Sequence, residues 1–378
     1  MESPAQPTPA GTPKPNSTQP PWEISFLQSP SPQSCLDPKG DLYVKVGSPS
    51  AKCFKVCSRT VARTSIFWDK LLYGGFKESK KPCPQDDNQE WIVELPEDHP
   101  GAMELLFNII HGRFDTIPRY NEKIDVDVLY NISVITDKYD MAHILQPWAR
   151  GWLQSTIRLD KPHYGGLFEQ HYKQLWISWV LGDKANFEEI AKTILLYFYP
   201  HCIRPSSILE PPEIYGQPNY RPIITYVEAK LFIIDIIEKT RLDTIKALLE
   251  LFSTIIERLI NKDEGLCLKT TERWKHTDSC IPSMLGTGIQ SLRSLGLWPI
   301  PQPTEWRLDV MTLSNQLKSV KIESKTKGYN PCSHVPALQG KINKVLDSIP
   351  SLLTEVHVRH LECQARKTGV FKKRNIIY

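Results

Sequence analysis

The pattern of apolar and polar positions changes abruptly at residue 41. Leu42, Val44 and Val46 alternate with Tyr43 and Lys45, the period of a half-buried strand. Gly47-Ser48-Pro49-Ser50 reads as a turn, and Cys53 to Cys57 as the returning strand of a hairpin. Ser58 stands at the N-cap position of a helix that carries Val61 and Ala62. Ser65 stands at the N-cap of a second helix, with Phe67, Trp68, Leu71 and Leu72 as its apolar positions. Gly74-Gly75 ends that helix, because glycine accepts the left-handed backbone at a helix terminus. Lys80 to Gln89 is a polar loop, and Trp91, Val93 and Leu95 then share one face of a third strand. His99-Pro100 opens the next helix, where proline in the first turn gives up no needed N–H. Met103, Leu105, Leu106, Ile109 and Ile110 are its apolar positions. Val126, Leu129, Ile132, Val134 and Ile135 continue as a helix after the loop around Pro118, and Leu145, Trp148, Trp152 and Leu153 as another. A hairpin, a helix pair, one more strand and further helices exclude a doubly wound parallel sheet. The pattern is that of an α+β unit with helices packed on a small sheet.

Beyond Trp152 the periodicity is almost entirely helical. Phe187, Ile190, Ala191, Ile194, Leu195 and Phe198 fall on one helix face, with Pro200 as the stop. Pro205 to Pro222 reads as a connector. From Ile223 to Glu264 there is no glycine or proline, and Leu242, Ile245, Leu248, Leu249, Phe252, Ile255, Ile256 and Leu259 form a stripe. That stretch exceeds the usual helix length, so two helices are expected, with a break near Thr240 to Asp243. Thr304 to Ser319 and Leu338 to Ala365 are further helical segments. In the second, Pro350 is expected to start a new helix after Ile349, with Ser348 near the cap.

Ahead of the first strand, residues 1–38 hold ten of the chain's 31 prolines among Ser, Thr, Gln and Gly. Such a stretch buries too little apolar surface to offset its ordering entropy and is expected to form a disordered arm. Its one apolar cluster is Trp22-Glu23-Ile24-Ser25-Phe26-Leu27. The expected division is therefore an arm over 1–38, an α+β domain over 39–157, a helical region over 158–365 and a basic tail over 366–378. The junction from Trp148 to Leu159 lacks a Gly/Pro-rich linker, so the helical region is expected to pack on the domain before it.

Length and composition bound the function. A chain of 378 residues can bury a core without disulfide support, and 40% hydrophobic with 23% charged residues is ordinary for a globular protein. A net charge of +4 is too small to point to a general nucleic-acid or membrane binder. No apolar run reaches the roughly 20 residues that span a bilayer, and the polar start is unlike a secretory signal. Nine scattered cysteines read as reduced thiols, which places the chain in the cytoplasm or nucleus.

The order of elements over residues 41–152 resembles a BTB/POZ domain. The resemblance rests on Phe54, Val61, Ser65 and Trp68 at the family's offsets, and on Gly74-Gly75-Phe76-Lys77-Glu78-Ser79 after the second helix. Cys57 stands where the family usually has histidine, which leaves any role of that histidine without a carrier here. Trp91 to Pro96 and Thr136-Asp137-Lys138-Tyr139-Asp140 are more specifically similar to fungal BTB proteins with a long helical C-terminal region. The end of the chain, from Ile349-Pro350 through His357 and His360 to Gln364-Ala365-Arg366-Lys367, shares that likeness.

That resemblance implies a non-enzymatic protein that binds other proteins and needs no cofactor. It implies self-association or recruitment of a cullin scaffold of a ubiquitin ligase, with this chain as the substrate adaptor. The alternative is a nuclear regulatory factor that recruits corepressors, without direct nucleic-acid contact. Phe76 and Glu78 match a hydrophobic-x-Glu triplet of the cullin-binding kind, in which a phenyl ring fills a groove and a carboxylate meets a basic partner. The bland reading packs Phe76 on its own domain. Asp41 and Arg59 match the charged pocket of BTB dimers; a plain surface pair is the other reading. Dimeric relatives also carry an amphipathic helix before the first strand, where this chain is Pro-rich.

Other chemistry is sparse. There is no Gly-rich phosphate loop, no His-Glu-x-x-His helix and no local grouping of nucleophile, base and orienting residue. Cys53 and Cys57 make two thiols without a second pair. Cys267, Cys280, Cys332 and His334 have the right donors for a zinc tetrahedron but no compact spacing. His357 and His360, with Cys363 beyond, share a helix face. No metal is assigned to any of these.

Overall fold

The computed structural model describes residues 33–79, 90–119, 122–156, 168–203, 232–266, 277–324 and 332–371. It is α+β, with a small mixed four-stranded sheet near the N-terminus and helices through the rest. The chain divides into two compact units, Met1–Pro118 and Arg119–Tyr378.

In the first unit, β1 (Gln33–Cys35), β2 (Leu42–Val46), β3 (Lys52–Val56) and β4 (Ile92–Leu95) lie in the order β1-β3-β2-β4. The expected hairpin forms, with β2 antiparallel to β3 and Val44 opposite Phe54. Strand β4 runs parallel to β2, placing Val93 beside Val44. Leu42, Val44, Val46, Phe54, Val56 and Val93 all point to one face and are buried. Each such side chain contributes about 1.5–3 kcal/mol of burial. Helices α1 (Ser58–Ala62), α2 (Ile66–Tyr73) and α3 (Pro100–Ile110) follow the predicted boundaries closely. The Phe107 ring of α3 meets Phe54 edge-on at 5.7 Å and Trp68 of α2 at 6.2 Å, joining sheet and helices in one core. The other sheet face carries Tyr43, Lys45, Lys55 and Glu94, with Lys45 and Glu94 3.6 Å apart across β2 and β4.

Two readings of this unit need correction. Residues Gln33–Cys35, placed in the disordered arm, form β1 parallel to β3. Three residues are too few for any period to show, and their pairing is supplied wholly by the neighbouring strand. The Trp22 to Leu27 cluster and Lys80 to Gln89 lie outside the described residues. Ser58 is not an N-cap. It is the first helical residue, preceded by Cys57, which makes no side-chain cap bond. The expected caps at Ser65 and His99 do form: Ser65 accepts from the Trp68 N–H and His99 from the Ala102 N–H.

The second unit is helical: α4 (Val126–Lys138), α5 (Ala149–Thr156), α6 (Phe168–Leu181), α7 (Lys184–Tyr197), α8 (Pro200–Ile203), α9 (Ile233–Ile260), α10 (Thr277–Ser294), α11 (Val310–Lys318), α12 (Val335–Asp347) and α13 (Glu355–Thr368). A two-residue ladder, β5 (Glu323–Ser324) with β6 (Cys332–Ser333), lies among them. Helix α6 is buried around its whole circumference, from Tyr172 and Leu175 to Trp176, Trp179 and Val180, which marks an interior helix. Helices α4, α7 and α13 pack on it. Gly182 ends α6 at φ +82°, and a Cβ there would collide with the backbone of Ala365 in α13. A second cluster, from Ile245 to Ile342, joins α9 to α10, α11 and α12.

Helix α9 is continuous over Ile233–Ile260, with no break near Thr240 to Asp243. The buried face simply continues through that polar stretch. Ile237, Arg241 and Ile245 are four apart and all buried. Arg241 Nη2 donates to the Leu308 carbonyl at 2.6 Å, which makes a charged residue tolerable in an apolar stripe. Burial lowers the Arg241 pKa to about 10, against the raising effect of Asp309 and Glu238. Pro200 begins the short α8 besides ending α7. The segment Leu338 to Ala365 contains two helices as expected. The second, however, starts at Glu355 with Thr354 as cap, whereas Ser348 only closes α12. The Pro205 to Pro222 connector lies outside the described residues. No helix among the described residues is long and apolar enough to cross a membrane.

Candidate partner-binding surface

The glycine pair after α2 makes a fixed turn. The Gly74 N–H donates to the Lys70 carbonyl at 2.7 Å and closes the helix. A Cβ at Gly74 would run into that same carbonyl oxygen, and Gly75 sits at φ +86°. Both positions therefore need glycine. Ser79 Oγ holds the loop that follows. It accepts from the Gly75 N–H at 3.2 Å and the Phe76 N–H at 3.1 Å, and donates to the Leu71 carbonyl at 2.8 Å. The Trp91 indole N–H donates to the Glu78 carbonyl at 2.7 Å, tying the turn to the start of β4.

On this braced backbone the Phe76 side chain stands 56% exposed. Lys77 beside it is exposed and Glu78 is half-buried. The apolar exposure continues along α2, which buries only Trp68 and Leu72 and leaves Ile66, Phe67 and Tyr73 open to solvent.

Asp41 and Arg59 are linked through two intermediaries, Ser58 and Tyr73. Asp41 Oδ1 accepts the Ser58 N–H at 2.8 Å, and Oδ2 accepts the Ser58 hydroxyl at 2.7 Å. The hydroxyl's single proton is thus committed, so the Tyr73 hydroxyl, 2.6 Å from Ser58 Oγ, donates to it. The Arg59 guanidinium lies over the Tyr73 ring at 5.6 Å, and Trp91 meets the same ring edge-on at 6.0 Å. Asp41 therefore caps α1 from a distant segment, the task assigned by sequence to Ser58. Sequence spacing cannot reveal a cap supplied from 17 residues away.

Ser79 and Trp91 stand in the sequence only as the end of a motif and the start of a strand, and the structure shows that both fix the turn. The only available signal was a serine four residues after a glycine pair. The other candidate groups do not assemble. Among the described residues no group of three or more His, Cys, Asp or Glu could hold a metal ion. Cys280 and Cys332 belong to the buried apolar cluster of the second unit. His334 Nε2 lies 2.7 Å from the Leu266 carbonyl oxygen. Cys267 is outside the described residues. His357 accepts the Thr354 N–H at 3.1 Å in a capping box, and His360 stacks on Trp179 at 3.7 Å and 9°. Burial lowers the His360 pKa; Asp137 and the Trp179 carbonyl oppose that shift, while Lys367 and His357 add to it.

No protein-family model, curated protein or solved structure matches this chain.

Proposed function

We propose that this chain works by binding other proteins rather than by catalysis, and that its first unit is a BTB/POZ-type interaction module. Support comes from the mixed sheet with a hairpin, a helix pair and a third strand parallel to the first. The observation that carries the reading is Phe76, an exposed aromatic on a turn whose backbone is braced by Ser79 and Trp91. An exposed phenyl ring adds little to folding. Held rigid, it loses little entropy when a partner covers it.

Recruitment of a cullin scaffold is the narrower form of the proposal. Phe76 would fill a groove and Glu78 would face a basic side chain. The test is binding of the full chain to a purified cullin N-terminal domain. Phe76→Ala should cost about 2 kcal/mol of binding, typical of a central anchor, with an unchanged melting temperature. Glu78→Lys should weaken binding further by setting like charges together. Absence of wild-type binding, or equal affinity in both variants, removes the adaptor reading. Loss of binding with a lowered melting temperature would instead assign Phe76 to the fold.

A further inference from the structure

Helix α13 is held on the second unit by two different kinds of contact. Its C-terminal half is fixed by groups that mild acid leaves alone. Leu361 and Ala365 are fully buried, the Thr368 hydroxyl donates to the Leu181 carbonyl at 2.7 Å, and Lys367 pairs with Asp140 at 2.8 Å. The N-terminal half is held by two histidines. His357 Nδ1 accepts the Thr354 N–H at 3.1 Å and so closes the capping box of the helix. The His357 ring is buried against Trp179 of α6 at 5.9 Å and Phe187 of α7 at 6.4 Å. Three residues on, the His360 ring lies flat on Trp179 at 3.7 Å. Its Nε2 is buried and has no hydrogen-bond partner.

Both contacts need a neutral imidazole. A ring nitrogen that accepts a hydrogen bond carries no proton, so protonating His357 Nδ1 sets a donor against the Thr354 N–H. Protonating His360 Nε2 puts an N–H where no group accepts it, which is costly in a buried place. Stacking of a cation on the indole returns only part of that cost. Burial opposes a charge on His360, and Lys367 and His357 of the same helix add to this, against Asp137 of α4 and the Trp179 carbonyl. The other elements packed on α13 bring Glu188 of α7, which accepts the Ser351 hydroxyl, and His143 of the 142–145 turn. Asp183, just after α6, is committed to Asn186. We propose that α13 is an acid-released latch: protonation of His357 and His360 frees its N-terminal half and uncovers the Trp179 and Phe187 face beneath, while the rest of the second unit stays folded. The inference concerns the second unit alone and does not rest on the binding role given to the first.

The test is hydrogen exchange of the full chain, read by mass spectrometry at pH about 7.5 and about 5.5, a window in which histidine titrates and ordinary carboxylates do not. After correction for the intrinsic effect of pH, exchange over residues 355–362 should rise about tenfold or more in acid, since tenfold corresponds to one pKa unit between the docked and the released ring. Exchange over α9 should stay as it was. His357→Gln with His360→Phe keeps a capping acceptor and a ring on Trp179 but cannot titrate, so α13 should remain protected at both pH values. His360→Lys carries its charge at neutral pH and should speed exchange of the same residues there. The natural chain decides the matter even where a variant fails to fold. Equal protection of 355–362 at the two pH values overturns the proposal. So does a parallel loss through α9, which would be acid unfolding of the whole unit, or an acid response that persists in the double variant. Slower exchange in acid also overturns it, because the proton would then join His360 to Gln364 Oε1, a buried acceptor without a partner one turn further on.

Discussion

Replacing Asp41 with alanine tests the junction on which the candidate surface is built. Asp41 accepts two hydrogen bonds from Ser58, at 2.8 Å from the backbone N–H and 2.7 Å from the hydroxyl. Ser58 is completely buried, so once the carboxylate is removed its two donors are reached only by water that enters where Asp41 stood. Hydrogen bonds to a charged group contribute about 1.5–3 kcal/mol, and loss of a helix cap typically costs about 1 kcal/mol, up to 2. Water entering the half-open site recovers part of this, since Asp41 itself is exposed. The expected loss for Asp41→Ala is therefore about 2–3 kcal/mol. Asp41→Asn keeps an acceptor and should lose about 1 kcal/mol. Where the first unit, of about 100 residues, melts as its own transition, 2 kcal/mol corresponds to a fall of roughly 8–16 °C in its melting temperature. Circular-dichroism melts give the magnitude. Hydrogen exchange gives the location, with faster exchange confined to α1 and α2. The tyrosine hydroxyl of Tyr73 would lose its ordered acceptor, so the Arg59 contact should loosen in the same variant. If Asp41→Ala melts within about 2 °C of the natural chain, the capping assignment is wrong, because that corresponds to well under 1 kcal/mol. Weakened self-association at an unchanged melting temperature would then restore Asp41 to a charged intersubunit pocket.

Other changes probe the second unit. Gly182→Ala should destabilise by about 2 kcal/mol or more, because the position has φ +82° and the new Cβ meets the Ala365 backbone; denaturant unfolding measures this, and a neutral result would refute the close approach of α6 and α13. His360 has a folded pKa below its usual 6.5, with burial as the main cause. The unfolded chain then binds more protons between the folded pKa and 6.5, so stability should rise with pH through that window and be lost as pH falls through it. His360→Phe, which keeps a ring against Trp179, should flatten the dependence; melts at neutral and mildly acidic pH that change in parallel for both proteins would refute it.

The sequence by itself determined the local elements of this protein. Period-two alternation located β2, β3 and β4, and glycine, proline and cap residues bounded α2 and α3, because these signals act within a few residues of one another. The turn before Phe76 was legible for the same reason, since Gly74 and Gly75 compel the chain to turn there, whereas the exposure of the ring was not. What needed the tertiary structure were the partnerships between distant segments. Strand β1 exists only because β3 offers it an edge. The burial of Arg241 within α9 is met by the Leu308 carbonyl, 67 residues away. Asp41 could be named from a pattern, but its work at Ser58 is visible only once β2 and α1 are side by side. Whether a polar side chain caps, pairs or faces a partner is decided by which groups remain within about 3 Å after packing, and no spacing along the chain encodes that distance.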